Sequence, residues 1–275
     1  MTKNGICKLT RCHGKFVKSH LIPRGLTRPA TSGNAFIEAG EGVRPNRRWD
    51  SWYDLELTIR KGEDILEKLD DWAIKELRKH ALVWTDEKGE RTPIIKPELM
   101  PGCDWGIREI LGIDPSRLRL FFLSLLWRAA VTKRHEFSVV SLPKEELEQL
   151  RLMLLNGDPG PLDFYPAQLI CLYTVGEIHN HTPITLTKEI PAYDNVPARQ
   201  IAIFRFYFDG LVVHIHRHAY DNGYTANQGS LTVGHSDRLI VVVRPYENSF
   251  QEKILTETQT QAAATWPEVL IKLSS

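Results

Sequence analysis

QIAIFRFYFDGLVVHIHRHA, residues 200–219, decides the fold of the C-terminal third. Two apolar runs, Gln200 to Phe208 and Leu211 to Ala219, flank Asp209-Gly210, a strong two-residue hairpin signal. Successive side chains of a strand point to opposite faces. Val213 and Ile215 therefore face one way, and His214, His216 and His218 the other. Outward from this hairpin, Val175 to Lys188 and Arg238 to Arg244 also read as strands, which makes the end of the chain an antiparallel sheet.

Further upstream the period lengthens. Ile65, Leu66, Leu69, Trp72, Ala73 and Leu77 recur at three- and four-residue steps, so Gly62 to His80 is an amphipathic helix. Glu63, Asp64 and Glu67 near its start and Arg78, Lys79 and His80 at its end complement the macrodipole. Asp64, Glu67, Asp70 and Asp71 are expected on its solvated face. Trp105 to Leu111 reads as a short helix. Asp114 or Ser116 caps the next, Arg117 to Val131, with Pro115 early in it. That helix is apolar nearly all round and is expected at the centre of the core. Pro143, Lys144 and Glu145 open another, which Asn156-Gly157 ends.

Residues 5–20 read as a small hairpin or knuckle, residues 24–50 as a long loop, and residues 85–104, with three prolines, as a linker or surface excursion. The expected class is α+β: an N-terminal ββα unit in residues 1–84, then a domain in 105–275 with a helical middle and the sheet.

Composition narrows the function classes. The chain has 275 residues, 42% hydrophobic and 25% charged, with 35 basic and 34 acidic side chains; a disordered chain and a wholesale polycation are both excluded. Cys7, Cys12, Cys103 and Cys171 are too scattered for a disulfide-stapled scaffold. The first residues carry no apolar core of a signal peptide. Leu118 to Val131, broken by Arg119, Ser124 and Arg128, falls short of the roughly 20 residues of a bilayer span. A cytoplasmic protein without a membrane partner is the expectation.

The near-zero net charge hides a local bias. Residues 1–50 hold ten basic and three acidic side chains, a surplus of +7. Residues 51–100 hold nine basic and twelve acidic ones. A basic segment draws polyanions, and Lys and Arg that neutralise phosphates supply much nucleic-acid affinity. Arg24, Arg28, Arg47 and Arg48 are the candidate phosphate contacts, and DNA or RNA the candidate partner. A solvated basic face explains the same charge. Arg47-Arg48-Trp49 and Trp52-Tyr53 interleave cations with aromatics, which suits base stacking or simple packing.

The sharpest local feature is Lys18-Ser19-His20-Leu21-Ile22-Pro23 ahead of the helix that begins near Gly62-Glu63. In a ββα unit such a His ends a strand and faces the helix. It can take a proton from an attacking water, and a metal can sit between strand and helix. A lone His in this setting otherwise serves as a core or capping residue. This element resembles the His-Asn-His (HNH) endonucleases. CKLTRCHGKFVKSHLIPRGLTRP, DSWYDLELTIRKGEDIL and FFLSLLWRAA, with the DPGP and YFDGLVVHIH segments, resemble more closely a family of uncharacterised bacterial proteins labelled HNH-endonuclease-like, over almost the whole chain.

The resemblance implies a treble-clef-like unit and a phosphodiester hydrolase using a divalent ion such as Mg²⁺, in bacterial defence or mobile-element biology. It makes His20 the catalytic base and Glu63 a metal ligand. Ser19 stands where the nuclease pattern has an acidic ligand. Cys7 and Cys12 offer half a zinc site, but Thr58 to Glu63 offer no second half, so structural zinc is not expected. The alternative is a catalytically inactive structural or protein-partner-binding chain that keeps the fold. His214-x-His216-x-His218 and His179-x-His181 are a second candidate metal set, since alternate strand residues share a face, with a solvated or interface surface as the competing explanation.

Overall fold

The computed structural model describes residues 3–27, 36–40, 43–48, 51–94, 98–177, 179–192, 197–217 and 229–265; residues 36–40, 43–48, 199 and 262 are described by their backbone alone. It is a mixed α and β structure. Strands β1 (Asn4–Ile6) and β2 (His13–Lys15) form an antiparallel hairpin. β3 (Ser19–His20) leads into the short helix α1 (Arg24–Thr27). β4 (Phe36–Gly40) and β5 (Val43–Arg48) pair antiparallel inside the stretch expected to be a loop. β6 (Tyr53–Asp54) pairs with β3, and α2 (Arg60–Lys79) follows.

Next come β7 (Gly106–Ile110), α3 (Pro115–Val131), α4 (Lys144–Asn156) and β8 (Ala167–Leu172). β9 (His179–His181) joins β4 and β5 in a small sheet. β10 (Ile184–Ile190), β11 (Arg199–Phe208), β12 (Leu211–His216) and β13 (Leu239–Arg244) complete the strands, and α5 (Phe250–Thr265) closes the described chain.

The main sheet has six strands in the order β10-β11-β12-β8-β13-β7. It is mixed rather than purely antiparallel, because β13 runs parallel to β8. The Asp209-Gly210 turn joins β11 to β12 with both residues at positive φ, 49° and 83°. Gly210 has a second reason to lack a side chain: a Cβ there would come within 2.4 Å of the Trp84 ring. Trp84 is wedged under the turn. Its backbone N donates to the Asp209 carbonyl (2.9 Å) and its indole Nε1 to the Leu172 carbonyl (2.6 Å). Thr85, the first residue of the stretch expected to be a linker, follows it: its backbone N–H donates to Asp209 Oδ2 at 2.9 Å, so that stretch starts docked onto the sheet.

The stretch 105–111 holds strand β7 rather than a short helix. Along β7, Gly106 and Ile110 are buried while Ile107 and Glu109 are exposed, and the strand pairs antiparallel with β13.

Helix α3 is the core element that the apolar pattern predicts. Asp114 Oδ1 accepts the Arg117 N–H at 2.9 Å, and Pro115 sits in the first turn. Leu118, Phe121, Phe122, Leu125 and Leu126 are all buried. Arg119, also buried, donates to the carbonyls of Pro159, Gly160, Pro161 and Phe164, which pins the DPGP loop. One hydrophobic core runs from Cys7 and Leu21 through α2, α3 and the sheet to Tyr246, and so holds residues from both sides of the stretch 85–104. Polar ties cross the same line: Lys8 Nζ donates to the Val131 carbonyl and Arg151 Nη1 to the Leu9 carbonyl. No described helix is long and apolar enough to cross a membrane.

Candidate functional site

The two-residue strand β3 holds His20 opposite Tyr53. The two rings meet edge to face with centroids 6.3 Å apart, and the Lys18 ammonium lies 4.1 Å above the Tyr53 ring. The backbone is fixed from below. The Leu21 N–H donates to the Trp52 carbonyl at 2.9 Å, and Arg128 Nη1 donates to the His20 carbonyl at 3.1 Å. Arg128 is only 1% exposed and grips both oxygens of Asp70 on α2, at 2.8 and 2.6 Å. Its remaining donors go to the hydroxyl and carbonyl of Ser124. One buried guanidinium thus ties strand β3, helix α2 and helix α3 together. Asp70 is the anion of that clamp, not a member of the solvated face. Sequence order hides this, because its partner lies 58 residues away.

Glu63 stands in the first turn of α2, where one Oε accepts the Thr58 hydroxyl at 2.7 Å. Its charge also reaches Asp70, two turns along the helix. Ser19, in the place of the acidic ligand, is fully buried, and its hydroxyl has no hydrogen-bond partner among the described residues. A hydroxyl enclosed in this way cannot reach a phosphodiester at the surface. Mg²⁺ demands near-octahedral oxygen coordination, with one or two carboxylates beside substrate phosphates. The donors that the resemblance nominates are one imidazole, one carboxylate with one oxygen bound by the Thr58 hydroxyl, and a buried neutral hydroxyl, and they form no metal-holding group among the described residues. That set does not fit the ion.

The knuckle packs directly on the helix start. Cys7 is buried, its Sγ accepts the Thr10 N–H at 3.4 Å, and a Cβ on Gly62 would fall 2.7 Å from that sulfur. Cys12 Sγ turns to the Thr10 carbonyl. Among the described residues no group of three or more His, Cys, Asp or Glu is arranged to hold a metal ion.

The basic residues divide. Arg24 is exposed on α1. Arg47 and Arg48 lie on β5, paired with Ile37 and Phe36 of β4, and Arg28 lies outside the described residues. Of the two aromatics, Trp52 is buried against Phe137, whereas Tyr53 is half-buried beneath Lys18.

The histidines of the sheet are buried, not solvated, since both faces of β12 are covered. His218 lies outside the described residues. His179 stacks on Tyr207 at 4.9 Å, its Nδ1–H donates to the Glu177 carbonyl at 2.9 Å, and its Nε2 accepts the Gln251 amide N–H at 2.7 Å. Burial pushes its pKa down to about 4 and that of His216 to about 3. His214 Nε2 accepts the Arg205 Nε–H at 3.0 Å. Guanidinium only donates, so this nitrogen is the acceptor and its lone pair is spent. A dication beside that guanidinium would also be repelled. His214 and His216 are therefore not set out as a metal pair.

The residues that sequence reasoning passed over are Arg128, Asp70, Arg205 and Lys188. Only the apolar runs around the two arginines and Lys188 signalled that charged side chains would be drawn inside. No family model, no curated protein and no solved structure matches the chain.

Proposed function

We propose that the chain is a nucleic-acid-binding protein of HNH-like descent, whose basic N-terminal segment contacts backbone phosphates and whose strand-helix unit is a scaffold rather than a hydrolytic centre. The carrying observation is how the polar groups at the strand-helix junction are spent. Arg128 and Asp70 satisfy each other, Arg128 also donates to the His20 carbonyl, the Thr58 hydroxyl holds one Glu63 oxygen, and Ser19 is sealed inside. Lys18 and Arg24 are exposed on either side of Ser19-His20, with Tyr53 next to Lys18. Cations and an aromatic at one surface suit phosphates and a stacked base.

Fluorescence anisotropy with DNA and RNA oligonucleotides between about 50 and 200 mM salt tests the reading. Affinity is expected to fall steeply with salt, since each phosphate contact releases a counterion. Replacing Arg24, Arg28, Arg47 and Arg48 with Gln lowers both affinity and salt slope. Mg²⁺, Mn²⁺ or Zn²⁺ is expected to produce no cleavage. Cleavage that disappears in His20→Ala would show a working hydrolytic centre and sink the scaffold reading. Binding that ignores salt, or none to either polymer, would remove the nucleic-acid reading in favour of a protein partner.

A further inference from the structure

Helix α5 lies over the face of the main sheet that carries His214, and the two border a half-open cavity of about 880 Å³. This is within the range of about 300–1,000 Å³ typical of small-molecule pockets. The helix presents one stripe to it: Phe250, Lys253, Ile254, Glu257, Thr258 and Gln261. The helix is positioned by Ser249, whose hydroxyl accepts the N–H groups of Gln251 and Glu252, while Glu252 reaches back to the Asn248 N–H. The sheet wall is apolar at Ile170, Ile184, Leu186 and Ile203.

Across that wall runs one polar row fixed by strand register. Arg205 pairs with His214, and His214 with Gln168. Arg205 is 7% exposed and carries the Phe250 ring 4.6 Å from its guanidinium. Its Nε is used on His214. Its two terminal amino groups have no acceptor among the described residues. Lys188, half-buried in the same cavity, donates to Gln168 at 2.9 Å. No carboxylate of the described residues pairs with either cation; burial alone shifts them, Arg205 down to about 10. Arg205 is buried and Lys188 half-buried, and neither is paired with Glu189 or Glu257, the carboxylates that also line the cavity; a buried cation without a direct counter-charge is costly to fold around. The remaining fork of Arg205 matches the planar geometry of an oxyanion.

We propose that this cavity binds a small molecule with an oxyanion head, a carboxylate or phosphate monoester, on an apolar body. Arg205 and Lys188 take the head, and the body lies along the isoleucines. His214 holds the guanidinium in place and is a positioning residue. The site stands independently of the nucleic-acid reading.

The test is isothermal titration of the full chain with octanoate, octyl phosphate, octanol and inorganic phosphate. At least one of the two octyl oxyanions is expected to bind ten times or more tighter than octanol; whichever is tighter identifies the head group. Arg205→Met should weaken that oxyanion about 10- to 100-fold, the value of hydrogen bonds to a charged group, and leave octanol unchanged. Lys188→Met should act in the same direction, and keeps the test open should Arg205→Met fail to fold. Equal affinity for octanol, inorganic phosphate binding as tightly as the octyl compounds, no binding of any compound at millimolar concentration, or oxyanion binding that survives both substitutions would overturn the proposal.

Discussion

Asp70→Asn tests the clamp on which the N-terminal unit rests. The substitution keeps the shape and removes the charge opposite Arg128. That guanidinium is 1% exposed, so water cannot replace the lost anion. Removing one partner of a buried ion pair costs about 3–5 kcal/mol. The introduced amide would still offer one acceptor, and Ser124 and the His20 carbonyl stay in place, so the lower end is expected. For a chain of this size about 3 kcal/mol lowers Tm by roughly 6–12 °C. Urea and thermal unfolding followed by tryptophan fluorescence would read it. The double variant Asp70→Leu with Arg128→Met should recover most of the loss, because an apolar pair removes both charges at once. A local signature should accompany the global one. The Leu21 amide, bonded to the Trp52 carbonyl, should exchange faster when the clamp loosens. Asp70→Asn melting within about 0.5 kcal/mol of the parent, the usual range of surface substitutions, would refute the clamp. So would a double variant weaker than the single one.

Three further outcomes are expected. His179 and His216 titrate near 4 and 3 in the fold, because burial disfavours their charged forms, against about 6.5 when unfolded. Below pH 6.5 the unfolded chain therefore takes up protons that the fold refuses; stability is complete above that pH and falls by about 3 kcal/mol per histidine by about pH 4. Urea midpoints should decline as the pH is lowered from neutral through the range below 6.5, less so in His179→Gln, and a flat profile would show these rings solvated. Gly210→Ala combines positive φ with a 2.4 Å approach to Trp84 and should destabilise by about 1–3 kcal/mol, read as a lower urea midpoint. Leu125→Ala, at a buried position of α3, should cost about 2–5 kcal/mol, and unchanged melting would place it at a surface.

What the sequence made legible was local. Asp209-Gly210 announces its hairpin because only a few residues accept two positive φ values in succession. Helices α2, α3 and α4 announce themselves by period and caps, and Gly157 ends α4 at φ 68° as the Asn156-Gly157 signal requires. What failed depended on partners far along the chain. Gly106–Ile110 is a strand because β13 lies beside it, and a short run with two isoleucines does not disclose that neighbour. β8 went unread for the same reason. It is buried between β12 and β13, where alternation is lost. α5 carries a Ser249-x-x-Glu252 start signal but only weak amphipathicity, so nothing foretold that it would cover the histidine face. Once it does, imidazoles that alternation assigns to solvent become interior groups.

The buried arginines show how the candidate sites differ. Arg119 is spent on three carbonyls of the DPGP loop and on that of Phe164. Arg128 is spent on Asp70, Ser124 and the His20 carbonyl, and Arg151 on Glu148 and the Leu9 carbonyl. In each case the charge is repaid within the fold, as burial of a cation requires. Arg205 departs from this rule: it meets a neutral imidazole, an aromatic face and a cavity, and no carboxylate or carbonyl among the described residues. His214 can hold that geometry only while neutral, and burial with the charges of Arg205 and Lys188 keeps its pKa well below the usual range. The N-terminal clamp is thus an internally neutral piece of scaffold, whereas in the sheet cavity the buried guanidinium of Arg205 has no carboxylate or carbonyl of the described residues paired to it. Of these buried arginines, Arg205, in the cavity under α5, is the one whose charge the proposed ligand completes.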